Sequence, residues 1–253
     1  MPTILCLLAL KLLTWNIERG VEFESIFHVL EAERVDIMIL QEVDRNTNRT
    51  GRRYVDRDLA ARLKKHGVWE SEFKELGQGK DAFIGNATLS SLPMTSTRAL
   101  RFKAQTDGWK PVWYLPNWSI VQPRIGGRVA LITEHDWNGR KLVIYNLHLE
   151  SKGQEVLRVV QLEEALEDAA KYPEGTAIVM AGDLNVNGVD SPVIGRFEKA
   201  GFRRAAGGGI STRRGDPLDW IFVRGPVEAR DARILWDVRA SDHYPVVVTI
   251  SQP

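Results

Sequence analysis

Cysteine is almost absent from this chain: Cys6 is the only one in 253 residues. An internal disulfide and a cysteine-based metal cluster are therefore both excluded. Neither charge sign is in excess, with 34 Lys+Arg against 33 Asp+Glu. No strong global field draws the chain to nucleic acid or to an anionic membrane, so any such attraction must be local. Long apolar runs are missing too. The opening MPTILCLLAL falls far short of the roughly 20 residues that cross a bilayer. No basic residue precedes it and no convincing small-residue cleavage site follows it, as a leader would require. The segment reads as the lead-in to a first strand and places the protein in the cytoplasm, with export on a shortened signal peptide as the alternative. Internal repeats, low-complexity tracts and linkers are also lacking.

What remains is an ordinary globular composition, 43% hydrophobic and 26% charged, with eight Trp. A chain of this length can bury most of its surface and needs no disulfide to hold a core. Strand-like runs recur: LKLLTWNI, VDIMILQEV, GNATLSSL, RVALITEHDW, KLVIYNLHLE, TAIVMAGDL, DWIFV and YPVVVTI. Several are apolar on both faces, as strands buried between layers are. Helical patterns lie between them. FESIFHVLEAE follows the first strand, and RDLAARLKKHG ends on a Gly where a helix stop belongs. SKGQEVLRVVQLEEALEDAAKY carries Val156, Val159, Val160, Leu162 and Leu166 at helical spacing, and SPVIGRFEKAGF runs from Ser-Pro to Gly201. Strands alternate with helices early and late around a strand-rich middle, so residues 1–253 read as one α/β domain.

The strand ends carry the chemistry. LLTWNIERG ends on Asn16 and Glu18, IMILQEVD on Glu42 and Asp44, and VIYNLHLES carries Asn146 and His148. IVMAGDLNVN brings Asp183 and Asn185, DPLDWIFV brings Asp219, and ASDHYPVVV brings Asp242 and His243. Each has a plain structural explanation when taken alone. Asp183 suits a turn, Asn16 a helix cap, Asp242 a bond to a backbone amide, and His148 a hydrogen-bonded place in the core. Six separate coincidences are harder to accept than one shared rim.

The residue types fit attack on phosphorus. A hard divalent ion such as Mg²⁺ prefers oxygen ligands, keeps several waters and takes one or two protein carboxylates plus substrate phosphate. Glu42 with Asp242 and the amide oxygen of Asn16 suits it, and Mn²⁺ would substitute. The absence of paired Cys or closely spaced His argues against zinc. Asp183 can orient and deprotonate a water, and Asn185 can donate to a phosphate oxygen or hold the nucleophile. Two imidazoles supply further donors, and a buried Asp can fix the tautomer of one. Asp219 is the candidate partner of His243.

The ordered set TWNIERG, LQEVDR, GNATLSS, NLHLES, AGDLNV, LDWIFV and SDHYPV resembles the endonuclease/exonuclease/phosphatase (DNase I-like) superfamily. The likeness runs from residue 14 to residue 246. It implies a four-layer α/β sandwich, with two mixed β-sheets packed face to face and helices outside. It also implies roles: Glu42 as principal Mg²⁺ ligand beside Asn16, and Asp242 completing the metal shell or its water network. Asp183 would activate the attacking water and Asn185 would help position it. His243 would contact the scissile phosphate, oriented by Asp219, and His148 would stabilise the transition state or assist the leaving group. Asn146 and Arg128 are added as phosphate contacts.

The substrate is less legible. His148 in NLHL is closer to the nuclease, phosphodiesterase and sphingomyelinase branches than to abasic-site endonucleases. DRNTNRTGRRYVDRD concentrates Arg45, Arg49, Arg52, Arg53 and Arg57 just after Glu42. Such a loop suits a phosphate backbone, with Arg49 and Arg53 as contacts, and equally suits a solvated surface partly neutralised by Asp44, Asp56 and Asp58. Trp109, Trp113, Tyr114 and Trp118 fall in one span. Exposed, they would stack on unpaired bases or enter a membrane interface; buried, they are packing, the preferred reading for most of them. A second basic stretch, Arg203–Arg204 with Arg213–Arg214, would flank the cleft. The expectation is a monomeric Mg²⁺-dependent phosphodiesterase acting on DNA or RNA, a nuclease or a tyrosyl-DNA phosphodiesterase-like enzyme. A phospholipid or sugar-phosphate hydrolase is the alternative, and a non-catalytic binding module ranks last because no expected catalytic position is lost.

Overall fold

Neighbouring residues of a strand face opposite layers, and this alternation builds the architecture. The computed structural model describes residues 9–111 and 119–253; Cys6, Trp113, Tyr114 and Trp118 lie outside them. The chain begins with β1 (Ala9–Arg19), α1 (Phe23–Glu33), β2 (Ile37–Arg45), α2 (Val55–Leu63) and β3 (His66–Glu75). There follow β4 (Phe83–Ser90), β5 (Met94–Arg101), β6 (Arg124–Gly126), β7 (Val129–Trp137) and β8 (Arg140–His148). After α3 (Glu155–Ala169) come β9 (Ala177–Asp183), α4 (Pro192–Lys199) and β10 (Arg203–Gly207). The last strands are β11 (Asp219–Arg224), β12 (Glu228–Ile234) and β13 (Val246–Ser251).

One sheet has seven strands in the order β12-β13-β1-β2-β4-β3-β6, and the other six in the order β10-β11-β9-β8-β7-β5. The pairs β1–β2 and β8–β9 are parallel and their neighbours antiparallel, so both sheets are mixed. Three apolar clusters fill the spaces between four layers. Leu12, Ile37, Ile39 and Val248 of the first sheet meet Ile144, Val179 and Ile221 of the second in the central one. One residue along each strand, the direction reverses. Leu13 and Met38 pack with Ile26 and Leu30 of α1 and Leu59 of α2, whereas Tyr145 and Met180 pack with Leu162 of α3 and Phe197 of α4. The expected four-layer sandwich is the observed one. Each fully buried aliphatic side chain contributes about 1.5–3 kcal/mol, which is why strands apolar on both faces are worth burying twice over.

Some helix details differ from the sequence expectation. On α3, Val159, Leu162 and Leu166 are buried, but Val156 is 66% and Val160 37% exposed; the apolar stripe is narrower than the run of valines. Helix α2 stops before its expected Gly. Lys64 takes the left-handed conformation and the Lys65 amide donates to the Ala60 carbonyl at 2.9 Å. Gly67 then belongs to β3, where an added Cβ would crowd Ala60 and Leu89 at 3.0 Å. Helix α4 behaves as expected, capped by Ser191, whose Oγ accepts from the Val193 amide at 3.2 Å. Among the described residues no helix is long and apolar enough to cross a membrane.

Candidate active site

The ends of β8, β9 and β11 stand side by side. His148 is in register with Asp183, and Asp183 with Asp219, so three candidate site side chains reach one rim without any loop to carry them. Gly182 makes this approach feasible: at φ +150°, any Cβ there would lie 1.7 Å from the Leu147 carbonyl oxygen. The other sheet supplies the facing rim through distortion. The ladders on either side of β2 shift register at Asn16–Arg19 and Leu40–Val43, and Glu42 sits there at φ +51°. A bulge re-aims a side chain that a regular strand would send elsewhere, and a non-glycine residue at positive φ is kept only where its surroundings demand it.

These elements enclose a cleft of about 280 Å³ lined by Asn16, Glu42, Arg128, His148, Asp183, Asn185, Asp242 and His243, among others. Eight of the twelve expected site residues therefore share one wall. Asp219 lies just behind it, fully buried. A larger cleft of about 720 Å³, at Tyr172, Pro173, Gly175 and Arg224, has none of them; the expected site residues line the smaller space.

Asp183 is the centre of the geometry. Its Oδ2 accepts from Nδ2 of Asn16 at 3.2 Å and lies 3.7 Å from Nε2 of His148 and 3.8 Å from Nε2 of His243. Its Oδ1 accepts from the Asn185 amide at 3.0 Å. Asn185, at φ +51°, donates its Nδ2 to the Leu149 carbonyl at 3.0 Å. Each imidazole has a buried carboxylate on its other nitrogen. His243 Nδ1 is 2.8 Å from Asp219 Oδ2, which also accepts from Ser211 Oγ at 2.7 Å. His148 Nδ1 is 3.1 Å from Glu72 Oε2 and 2.7 Å from an Arg128 guanidinium nitrogen. Arg128 can donate only to an unprotonated Nδ1, and Glu72 can accept only from a protonated one. The two partners therefore favour opposite protonation of the same nitrogen.

The His243–Asp219 pair holds a proton. Burial disfavours the imidazolium, but the charges of Asp219 and Asp183, the Asp219 hydrogen bond and Asp242 outweigh it, raising His243 to about 10. Burial likewise pushes Asp219 up, only partly offset by His243. Both directions mean that the pair keeps one shared proton through neutrality. At Glu42, burial favours the neutral acid; His148, Arg19, Arg124 and Arg128 prevail and hold its carboxyl below the usual range.

The oxygen donors fit a hard divalent ion. The Glu42 carboxylate accepts no hydrogen bond among the described residues, and its only ion pair there is to Arg19 at 3.9 Å, leaving it open to the cleft. Among the described residues Asn16 Oδ1 accepts only the Glu18 amide at 3.1 Å, and Asp242 Oδ1 only a long 3.4 Å contact from Ser241. No group of three or more His, Cys, Asp or Glu is close enough to hold a metal alone among the described residues. An ion such as Mg²⁺ commonly takes only one or two protein carboxylates and keeps several waters.

Three expected substrate contacts are placed elsewhere. Asn146 is fully buried between the sheets, donating to the Leu40 and Ala87 carbonyls and accepting from Gln41; it ties the layers together. Arg49 is clamped by Asp44 at 2.6 and 2.7 Å and by Glu75 at 2.7 Å. Arg53 pairs with Asp58 at 3.3 Å and lies over the Phe23 ring. Three of the five arginines after Glu42 are thus ion-paired, Arg45 being held by Asp56 at 2.6 Å. Trp109 is buried, as preferred, its indole N–H shared by the Glu150 carboxylate at 2.9 and 3.1 Å. Sequence reasoning missed Glu72, Ser211 and the cleft-lining Arg19, Ser151 and Thr212. Glu72 stands in a polar strand end, WESEFKE, with no local signal to separate it from its neighbours.

The sequence matches the model of the Endonuclease/Exonuclease/phosphatase family over residues 13–243. No curated protein matches the chain. Among solved structures, the endonuclease/exonuclease/phosphatase from Beutenbergia cavernae DSM 12333 is similar, with TM-score 0.72 and 20% identity over 96% of this chain and 72% of that one. The human Nocturnin catalytic domain with bound sulfate anion gives 0.72 and 17% over 97% and 95%. Humanized D. rerio TDP2 gives 0.68 and 16% over 96% and 99%. At these identities the likeness is one of fold.

Proposed function

The chain belongs to the Endonuclease/Exonuclease/phosphatase family, whose members are in general phosphoric ester hydrolases, and from that premise we propose that it is a Mg²⁺-dependent phosphodiesterase acting on nucleic acid. One observation carries the proposal. Two imidazoles, each backed by a buried carboxylate, direct Nε2 toward the same Asp183 oxygen on a cleft that also presents Glu42.

Asp183 takes the proton of the attacking water as its oxygen forms the bond to phosphorus; Asn16 and the Asn185 amide keep that carboxylate aimed. His243, held by Asp219, donates from Nε2 to a phosphate oxygen, where charge grows in the transition state. As the P–O bond to the leaving alcohol breaks, His148 Nε2–H supplies the proton to the departing oxygen. Arg128, Arg19 and Arg214 line the same cleft and offset phosphate charge. Glu42, the Asn16 amide oxygen and Asp242 would hold Mg²⁺, which when bound supplies Lewis acidity toward the phosphate. The preference for nucleic acid is supported by the family, whose description names endonucleases and exonucleases; the Nocturnin domain of similar fold holds a sulfate, an anion of phosphate shape.

The test is hydrolysis of bis-p-nitrophenyl phosphate and of single- and double-stranded oligonucleotides with Mg²⁺, Mn²⁺ or EDTA. Cleavage stopped by EDTA and by Asp183→Asn is expected. A folded protein that leaves every nucleic acid intact but cleaves phospholipids would overturn the substrate class.

A further inference from the structure

Trp236 is the most exposed tryptophan among the described residues, at 57%, beside Ile210 at 52%. Its indole N–H donates to the Ile210 carbonyl at 2.9 Å, so the ring's one polar group is already engaged by the protein. What it offers a ligand is π surface, held in place. Ile210 begins a segment fastened to the catalytic rim. Ser211 bonds Asp219, the Arg213 amide donates to the Asp242 carbonyl at 2.9 Å, and Thr212 bridges to His243. Thr212 lines the cleft and is two residues from Ile210, roughly 7 Å of extended chain at most.

Positive charge runs along the same path. Arg214 lines the cleft; Arg213 donates to the Arg239 carbonyl and Arg239 to the Trp236 carbonyl. No carboxylate is ion-paired with Arg213, Arg214 or Arg239 among the described residues, and Asp237 is the single acid between Arg233 and Arg239. Arg45, Arg49 and Arg53 in the loop after Glu42 are by contrast each paired with a carboxylate. Trp236 also lines a groove of about 390 Å³ together with Arg204, Gly207, Gly209, Arg233 and Ile234.

We propose that Trp236 is a stacking platform for an unpaired base of a single-stranded nucleic acid, adjacent to the nucleotide whose phosphate sits in the cleft, with Arg213, Arg214 and Arg239 tracking the backbone. The proposal rests on the phosphodiesterase reading above and names the form of its substrate. Backbone charge alone draws any polyanion. An exposed ring adds affinity only for a base free of its own duplex stack. The arrangement therefore favours a single strand.

The test uses the full chain carrying Asp183→Asn, with Mg²⁺, and fluorescence anisotropy. Four probes are compared: a labelled single-stranded oligothymidylate, the same strand annealed, an abasic strand of equal length, and phosphatidylcholine/phosphatidylserine vesicles. Adding Trp236→Ala is expected to weaken single-strand binding about tenfold, as loss of one base–aromatic stack does. Abasic-strand and duplex binding should change less than twofold, and Trp236→Tyr should restore most of the affinity. Equal loss on the abasic strand, no loss on any strand, or loss confined to vesicles would each overturn the platform. If oligonucleotides are cleaved while Trp236→Ala binds like its parent, the platform alone falls. If none is bound or cleaved although bis-p-nitrophenyl phosphate is hydrolysed, the nucleic-acid reading falls with it.

Discussion

Asp219 and His243 are joined by a 2.8 Å hydrogen bond between Oδ2 and Nδ1, and Asp219 is fully buried. Removing the charge while keeping the shape leaves the imidazolium without its counter-charge. Asp219→Asn is expected to lower kcat on bis-p-nitrophenyl phosphate by about 10²-fold or more, the range of a misoriented acid–base group, with the fold retained by circular dichroism. An unchanged kcat would show that His243 does not depend on this bond.

Glu72 and Arg128 compete for the same His148 nitrogen. Glu72→Gln keeps the volume but leaves Arg128 as the only charged contact, freezing the ring with Nδ1 unprotonated. The expected result is a kcat lowered about tenfold or more with KM little changed, because the proton relay suffers and the cleft does not. A change in KM alone would make Glu72 a packing residue.

Asp183 and Glu42 separate turnover from metal binding. Asp183→Asn should abolish turnover while Mn²⁺ titration calorimetry gives nearly the parent affinity. Glu42→Ala should weaken that affinity about tenfold or more, with part of the activity recovered at high Mg²⁺. Full activity in Asp183→Asn would remove it from the reaction.

His135 gives the molecule an acid limit away from the cleft. It is 1% exposed, with Nε2 2.9 Å from Thr133 Oγ1. Burial depresses it to about 4, partly opposed by the Leu92 and Pro93 backbone and assisted by His66. The neutral ring is the folded form, so the unfolded chain takes up the proton first as pH falls below about 6.5. Stability should therefore be full above that pH and decline by up to about 3 kcal/mol as pH falls toward 4. Urea midpoints measured from pH 7 to pH 4 check this, and His135→Gln should flatten the decline.

Legibility followed the physics of burial. Strands apolar on both faces, such as Leu10–Ile17 and Ile37–Leu40, could be read because their partners demand apolar side chains. Edge or half-exposed strands such as β5 (MTSTRALR) and β12 (EARDARI) carry no such demand and could not. The same limit applies to the arginines. Arg49 and Arg53 look like phosphate ligands along the chain, and only folding brings Glu75 to Arg49.

The sequence by itself determined the layers and the polar strand ends, because alternation and strand termination are local properties of the chain. It also carried the ordered motifs that mark the family. Only the tertiary structure decided which of those polar ends are used. Asn16 reaches Asp183 across 167 residues and Glu72 reaches His148 across 76, separations over which no periodicity survives. The bulge that turns Glu42 into the cleft, the burial of Asn146 and the exposure of Trp236 are likewise outcomes of how two sheets meet. Distances of a few ångströms between residues far apart in the chain are set by packing, and packing is a property of the whole molecule.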